Sequence, residues 1–391
     1  VTYDKDNQIK GTGNGFYIDM KGTALSDYTL FENANRAVII NADGKQQNVT
    51  HIMGANSMYD IVKFTTPIEK KQATLTLAAQ PAKVGETIYL LPYSTQKATT
   101  LQTGKVTAVD SIDVRSFYYT LEMKTGEKMV SCPIMNAQGE VLGMIQRNAS
   151  AESMESYALG ASFGVNLEIS ALSMNDGALN QIGIKKALPD TEEQALVYLY
   201  MSAETMDNES YSKLLNDFLV QYPNSMEGYI RRANLNMLGG DAGKYTLAEE
   251  DLKKAMEVAT NKSECNYQVA KSIYGYLLSL GDKEPHTAWT YEKALELVRN
   301  AIQMENQPLH IQLEGDILFA QGNYADAFTS YNKVNQSELA SAATFYSACK
   351  AKQLMEGSDM NEVLALMDSA IVKLNKPYMD EAAPYFYERA E

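Results

Sequence analysis

Near Thr191 the hydrophobic pattern of this 391-residue chain changes period. Upstream, apolar residues fall in short runs separated by turn residues. Downstream, they recur at steps of three and four. The first pattern suits half-buried strands and the second suits helices packed along one face. One element cannot hold both periods, so the spacing predicts a multidomain β + α protein. Strands are expected at Gly15–Asp19, Ala37–Asn41, Ile61–Phe64, Thr87–Leu91, Lys105–Val109, Phe117–Leu121 and Val141–Gln146. Between them stand Asp43-Gly44, Pro67, Pro92 and Gln138-Gly139. These residues favour tight turns through positive φ, a fixed φ or side-chain bonds to the main chain. Many short strands at roughly even spacing point to a barrel or sandwich.

Self-similarity governs the second part. Its clearest unit is Leu309–Val334. Gly315 stands where two helices would cross closely, Gly322-Asn323 supplies a turn, and Tyr324, Ala327, Tyr331 and Val334 share one helix face. Tyr229, Ala233, Gly240, Tyr245, Ala248, Leu252 and Ala255 repeat the order with a longer turn. Gly275, Ala294, Val298 and Ala301 do so around a turn containing Pro285. An earlier unit reads Ala203, Tyr211, Leu215 and Phe218, and a later one Phe345, Ala348, Met367 and Ala370 up to Pro377. Tyr378–Glu391 opens a further helix. This series resembles the tetratricopeptide repeat, a helix pair of about 34 residues. The resemblance implies an α-superhelix whose concave face binds a peptide or another protein. Candidate partner-binding residues on the first helices are Arg231, Arg232, Asn234, Asn236, Gln312 and Asp316; each also fits plain solvated surface.

The order of signals in the first part is more telling than any one of them. GTGNGFYID is followed by ALSDYTLFENA, an Asp-Gly turn and NSMYDIVKF. Then come VGETIYLLPY, QTGKVTAV, SCPIMNAQGEVLGMI and SYALGASFGVNLEI. Over about residues 11–175 this series resembles the trypsin-like serine proteases of the bacterial high-temperature-requirement type. The resemblance implies a double β-barrel and places Thr29 where the family has its histidine, Asp60 at the aspartate and Val130 at the nucleophile. Triad chemistry needs a hydroxyl, an imidazole and an orienting carboxylate. Thr29 cannot serve as a base near pH 7, and Val130 has no nucleophilic atom. Lys128, Ser131 and Cys132 stand where the family has glycine or the oxyanion-hole main chain. Because each carries a Cβ, the loop is expected to take another shape. A one-residue shift would offer Ser131 as fallback nucleophile, or Cys132 could serve, but the one histidine of this part, His51, lies nine residues before Asp60.

The expected domains are a trypsin-like double β-barrel over 1–175, a linker over 176–190 containing Gly177, Gly183 and Pro189, and a tetratricopeptide-like α-superhelix over 191–391. Charge divides unevenly between them. Residues 1–190 hold 17 Lys+Arg against 19 Asp+Glu, and residues 191–391 hold 17 against 30. A net −13 in the helical part disfavours nucleic acid as a partner. It fits either solubility or a groove for a basic protein segment. Cys132, Cys265 and Cys349 and the three histidines are scattered, so no metal or other cofactor is expected; Cys265 and Cys349 could form a disulfide. No run approaches the roughly 20 apolar residues of a membrane span. Val1–Lys10 has no apolar core of an export signal, so a signal was either never carried or has been removed. The resemblance, with a glycosylation-like Asn48-Val49-Thr50, points outside the cytoplasm. The expected function is a non-catalytic interaction or scaffold protein. The alternatives are a serine-type peptidase with a displaced nucleophile and a structural subunit of a larger assembly.

Overall fold

Turn chemistry sets the first hairpins. Gly44 and Gly139 adopt φ of +77° and +79°, a region that costs other residues a Cβ clash. Asn41 accepts from the main-chain N–H of Asp43 and Lys45, and Asn136 from Gln138 and Glu140, so both turns are tied by side chains. The computed structural model describes residues 1–68, 73–94, 100–148, 150, 153–374 and 380–390. The chain divides into two compact units, Val1–Thr205 and Met206–Glu391.

The first unit begins with strands β1 (Thr2–Tyr3), β2 (Ile9–Gly11), β3 (Gly15–Tyr17), β4 (Thr23–Ser26), β5 (Arg36–Ile40), β6 (Gln46–Asn48), β7 (His51–Asn56) and β8 (Ile61–Thr65). They form two four-stranded antiparallel sheets, β2-β1-β5-β6 and β3-β4-β8-β7. Next come β9 (Thr87–Leu90), β10 (Gln102–Ser111), β11 (Phe117–Glu122), β12 (Pro133–Met135), β13 (Val141–Ile145) and β14 (Glu155–Gly160), which close a barrel in the order β10-β11-β14-β13-β12-β9. Only this second half closes by hydrogen bonding among the described residues, which corrects the expectation of two closed barrels. Ile88, Leu90, Leu121, Ile134 and Ile145 fill the barrel; Phe16, Leu25 and Ile61 pack with Val141, Met144 and Leu159.

Three short helices, α1 (Tyr28–Phe31), α2 (Ala161–Val165) and α3 (Gly177–Asn180), and the longer α4 (Glu192–Thr205) complete the unit. The expected linker is not one. Leu179, Ile182, Ile184 and Leu188 are buried, and Lys186 bridges in parallel to Ile52 of β7. Its apolar residues sit far enough apart to read as loop, yet each finds a slot on the β scaffold. Helix α4, expected as the first of the array, packs on the 3₁₀ turn Ala171–Asn175 and belongs with the β unit. The boundary therefore falls after Thr205, fifteen residues beyond the expected one.

The second unit is helical: α5 (Asn208–Gln221), α6 (Met226–Leu238), α7 (Ala242–Val258), α8 (Lys262–Ser279), α9 (Tyr291–Met304), α10 (Pro308–Ala320), α11 (Tyr324–Asn335), α12 (Ala342–Leu354), α13 (Met360–Val372) and α14 (Ala383–Ala390). Asp207, Ser225, Asp241, Asn261, Thr290, Ser341 and Asp359 each accept a first-turn N–H at a helix start, and Pro308 opens α10. These caps satisfy donors that the helix itself cannot. Successive helices pair as α6–α7, α8–α9, α10–α11 and α12–α13. Ala233, Ala248, Ala255, Ala294, Val298 and Ala301 are buried in one continuous core.

Gly315 marks a close crossing: a Cβ there would lie 2.8 Å from the Tyr331 ring. Gly275 does not, since nothing lies within 4 Å of its would-be Cβ, and its expected role as a contact residue is withdrawn. Gly228 takes a contact role instead, with a would-be Cβ 2.5 Å from the Phe218 ring. Pro377 and Tyr378, expected at the end of the last unit, lie outside the described residues.

Candidate functional site

The family-aligned positions are brought together in part. Asp27 follows β4 and caps α1 by accepting from the N–H of Leu30 at 3.2 Å. That cap swings Thr29 toward the start of β8. The Asp60 carboxylate accepts from the Thr29 N–H at 2.7 Å and from its hydroxyl at 2.8 Å. The carboxylate thus engages the residue at the histidine position, but through a group that cannot take a proton near neutral pH. Thr29 is exposed and Asp60 half-buried.

The loop before β12 is set by main-chain bonds. Residues Glu127–Met129 form a 3₁₀ turn, and the Val130 N–H donates to the Glu127 carbonyl at 3.3 Å. This N–H sits at the aligned nucleophile, where an acyl-transfer site would aim a donor at the developing oxyanion. Asn14 Nδ2 donates to the carbonyls of Lys128 and Val130 at 2.9 and 2.8 Å and pins the loop from outside. Ser131 adopts φ +66° despite its Cβ. The fully buried Ser131 hydroxyl donates to Asp27 Oδ1 at 2.7 Å, and its N–H to the Ile145 carbonyl at 2.9 Å, which offsets the strain.

Asp27 therefore gathers Ser131, Ser26 Oγ at 3.4 Å, the Leu30 N–H and Arg147 at 3.7 Å, while Arg147 also pairs with Glu127. Asp27, within ALSDYT, has no expected role from the sequence; its place before an apolar turn is the helix-cap signal that marks it. Nothing near Asn14 or Arg147 in sequence announced the pairing, because both partners are more than a hundred residues away.

His51 is not placed to serve Ser131. It pairs with Thr65 at the end of β7 remote from Asn56 and Ile61, so about 16 Å of extended strand separates it from the Asp60 end. Cys132 is buried and burial pushes its thiol up, away from the thiolate that a nucleophile requires. A cavity of about 640 Å³ is lined by Phe16, Phe31, Ile39 and Phe64 together with Asn14 and Lys128; Thr29, Asp60 and Ser131 are not among its lining residues. Cys265 and Cys349 are buried free thiols.

In the helical unit the six candidates separate. Arg232 of α6 grips Asp251 of α7 through two bonds of 2.9 and 2.7 Å and reaches Asn216 of α5 at 2.7 Å, so it ties three helices. Arg231 pairs with Glu227 at 2.9 Å. Asn234, Asn236 and Gln312 are partly exposed. Asp316 of α10 accepts from the Tyr331 hydroxyl at 2.8 Å, and burial pushes its carboxyl above the usual carboxylate range. Burial also raises Tyr331, reinforced by the Asp316 charge. Tyr274 of α8 is pushed up to about 12 by burial first and by Asp316 second.

Residues 13–144 match the family model of the trypsin-like peptidase domain. The N-terminal unit thus carries a trypsin-like β-barrel domain, and a helical region follows it. Solved structures that the chain matches include the serine endoprotease from Yersinia pestis, 14% identical with a TM-score of 0.36, where the match covers 42% of this chain and 58% of that one. The inactive form of the Rv3671c protease is 19% identical with a TM-score of 0.32, covering 38% of this chain and 78% of that one. The HtrA-type protease AlgW with decapeptide is 12% identical with a TM-score of 0.34, covering 39% and 49%. The chain spans about half to three quarters of these proteins. No curated protein sequence matches it. No described helix is long and apolar enough to cross a membrane.

Proposed function

We propose that this is a non-catalytic interaction or scaffold protein. In this reading a trypsin-like domain without a working triad is joined to a tetratricopeptide-like array that binds a protein or peptide outside the cytoplasm. The observation that carries the first half is the occupancy of Asp60. Its carboxylate is bonded to the N–H and hydroxyl of Thr29, where triad chemistry would need an imidazole. The Val130 N–H, bonded to the Glu127 carbonyl, supports the same reading, because an oxyanion hole needs that class of donor unengaged.

The second half rests on the paired helices and on the acidic excess of residues 191–391, which favours a basic or mixed segment as partner. The test is covalent labelling with a fluorophosphonate probe alongside a peptide-substrate assay. No labelling and no turnover are expected. Labelling that Ser131→Ala abolishes would establish a displaced nucleophile and overturn the proposal.

A further inference from the structure

Most carboxylates of the helical unit that lie against neighbouring helices hold a cation of the same chain. Asp251 holds Arg232, Glu314 holds Arg299 at 2.8 Å and Glu388 holds Lys350 at 2.7 Å. Asp316 is different. It is half-buried, and among the described residues its side chain accepts from a neutral phenol, Tyr331. Tyr267 and Tyr274 on α8 and Tyr331 on α11 feel its charge; Tyr267 and Tyr331 are buried, so of the three Tyr274 alone has an accessible ring. Arg299, on the neighbouring α9, is taken by Glu314. Tyr274 is itself half-buried and lies 6.4 Å from the Tyr291 ring. A carboxylate withdrawn from water beside one neutral donor is costly unless a cation joins it. Tyrosine rings around such a carboxylate add a face to which a guanidinium or ammonium is drawn.

We propose that Asp316, held by the hydroxyl of the buried Tyr331, and the half-buried Tyr274 form a notch that takes a single arginine or lysine side chain of a protein partner. The inference rests on the reading of the helical unit as a partner-binding array and specifies the chemistry of one of its contacts. Glycine at 315, which lets Tyr331 approach α10, is what holds the phenol against the carboxylate. The notch would explain why a buried charge is kept where an asparagine would be cheaper.

The experiment uses the full chain and a fluorescein-labelled eight-residue peptide alternating Arg and Ser, with its citrulline counterpart as the neutral control. Asp316→Asn is compared with Asp326→Asn, an exposed position on α11 carrying the same charge change. By anisotropy, Asp316→Asn is expected to lower affinity for the arginine peptide at least about tenfold, whereas Asp326→Asn changes it less than about twofold. The citrulline peptide should not distinguish the variants.

Stability gives an independent reading. The folded carboxyl of Asp316 is raised, so its protonated form favours folding, and that contribution is lost as pH rises through the raised value. Asp316→Asn should therefore melt at or above the wild-type temperature at pH 7, and the difference should vanish as pH falls below the ordinary carboxylate range. Equal losses in both variants, or binding by wild type that neither variant alters, would overturn the notch while leaving partner binding by the array intact. Destabilisation by Asp316→Asn with unchanged affinity would make it a plain structural partner of Tyr331. No binding by wild type would overturn both the notch and the basic-partner reading.

Discussion

The loop before β12 with its neighbours and the α10–α11 hairpin treat their polar groups in different ways. Around the loop, the groups that could do chemistry are turned on one another. Asp60 holds Thr29, Asp27 holds Ser131, and the Val130 N–H holds Glu127. In the hairpin, Asp316 is withdrawn from water against a phenol. The first arrangement describes a finished structural joint, since a satisfied polar network rigidifies what it connects. The second is the arrangement on which the proposed cation notch rests.

That contrast can be broken most sharply at the loop. Thr29→His with Val130→Ser restores two aligned side chains but not the donor geometry. Turnover of a peptide ester should remain at least roughly 100- to 1000-fold below that of an intact trypsin-like enzyme, the usual cost of one oxyanion donor. Activity near the intact level would mean that the 3₁₀ turn opens readily. Next in size is Asp27→Ala. It removes the cap of α1 and strands the buried Ser131 hydroxyl, so a loss of about 2–4 kcal/mol is expected in urea unfolding. A change below about 0.5 kcal/mol would show that the joint is not structural.

In the hairpin, Gly315→Leu should overpack the Tyr331 contact and cost about 1–3 kcal/mol, read as loss of helical ellipticity at lower denaturant. An unchanged midpoint would contradict the close crossing. The smallest effect has the opposite sign. Gly275→Ala meets open space on a helix and should stabilise by about 0.5–1 kcal/mol; destabilisation would mean that Gly275 has a packing role after all.

These last two glycines show how far the sequence could be read. Both sit in helices and both fit the repeat pattern, yet only Gly315 has a ring above it. The strand runs were legible to within a few residues because alternation and turn chemistry are local. Thus β5, β8, β9, β11 and β13 fall where expected. Strands β1, β2 and β6 were not anticipated, since short polar segments become strands only when a partner supplies their hydrogen bonds; the more buried β4, β12 and β14 were not anticipated either. The segment 176–190 misled for the same reason: its burial depends on β7 and on the rest of the β scaffold.

For the candidate site, the sequence alone determined which atoms are available. The aligned positions Thr29 and Val130 supply neither an imidazole nor a nucleophile, and residue identity is enough to say so. It also determined where helices begin and the surplus of negative charge beyond Thr191. Which carboxylate meets which donor was decided only by tertiary structure. Asp27 reaches Ser131 across 104 positions and Arg232 reaches Asp251 across 19, distances over which no local pattern carries information. Burial was decided there too. An aspartate in a sequence is a charge in water until neighbouring helices remove part of that water, as they do at Asp316.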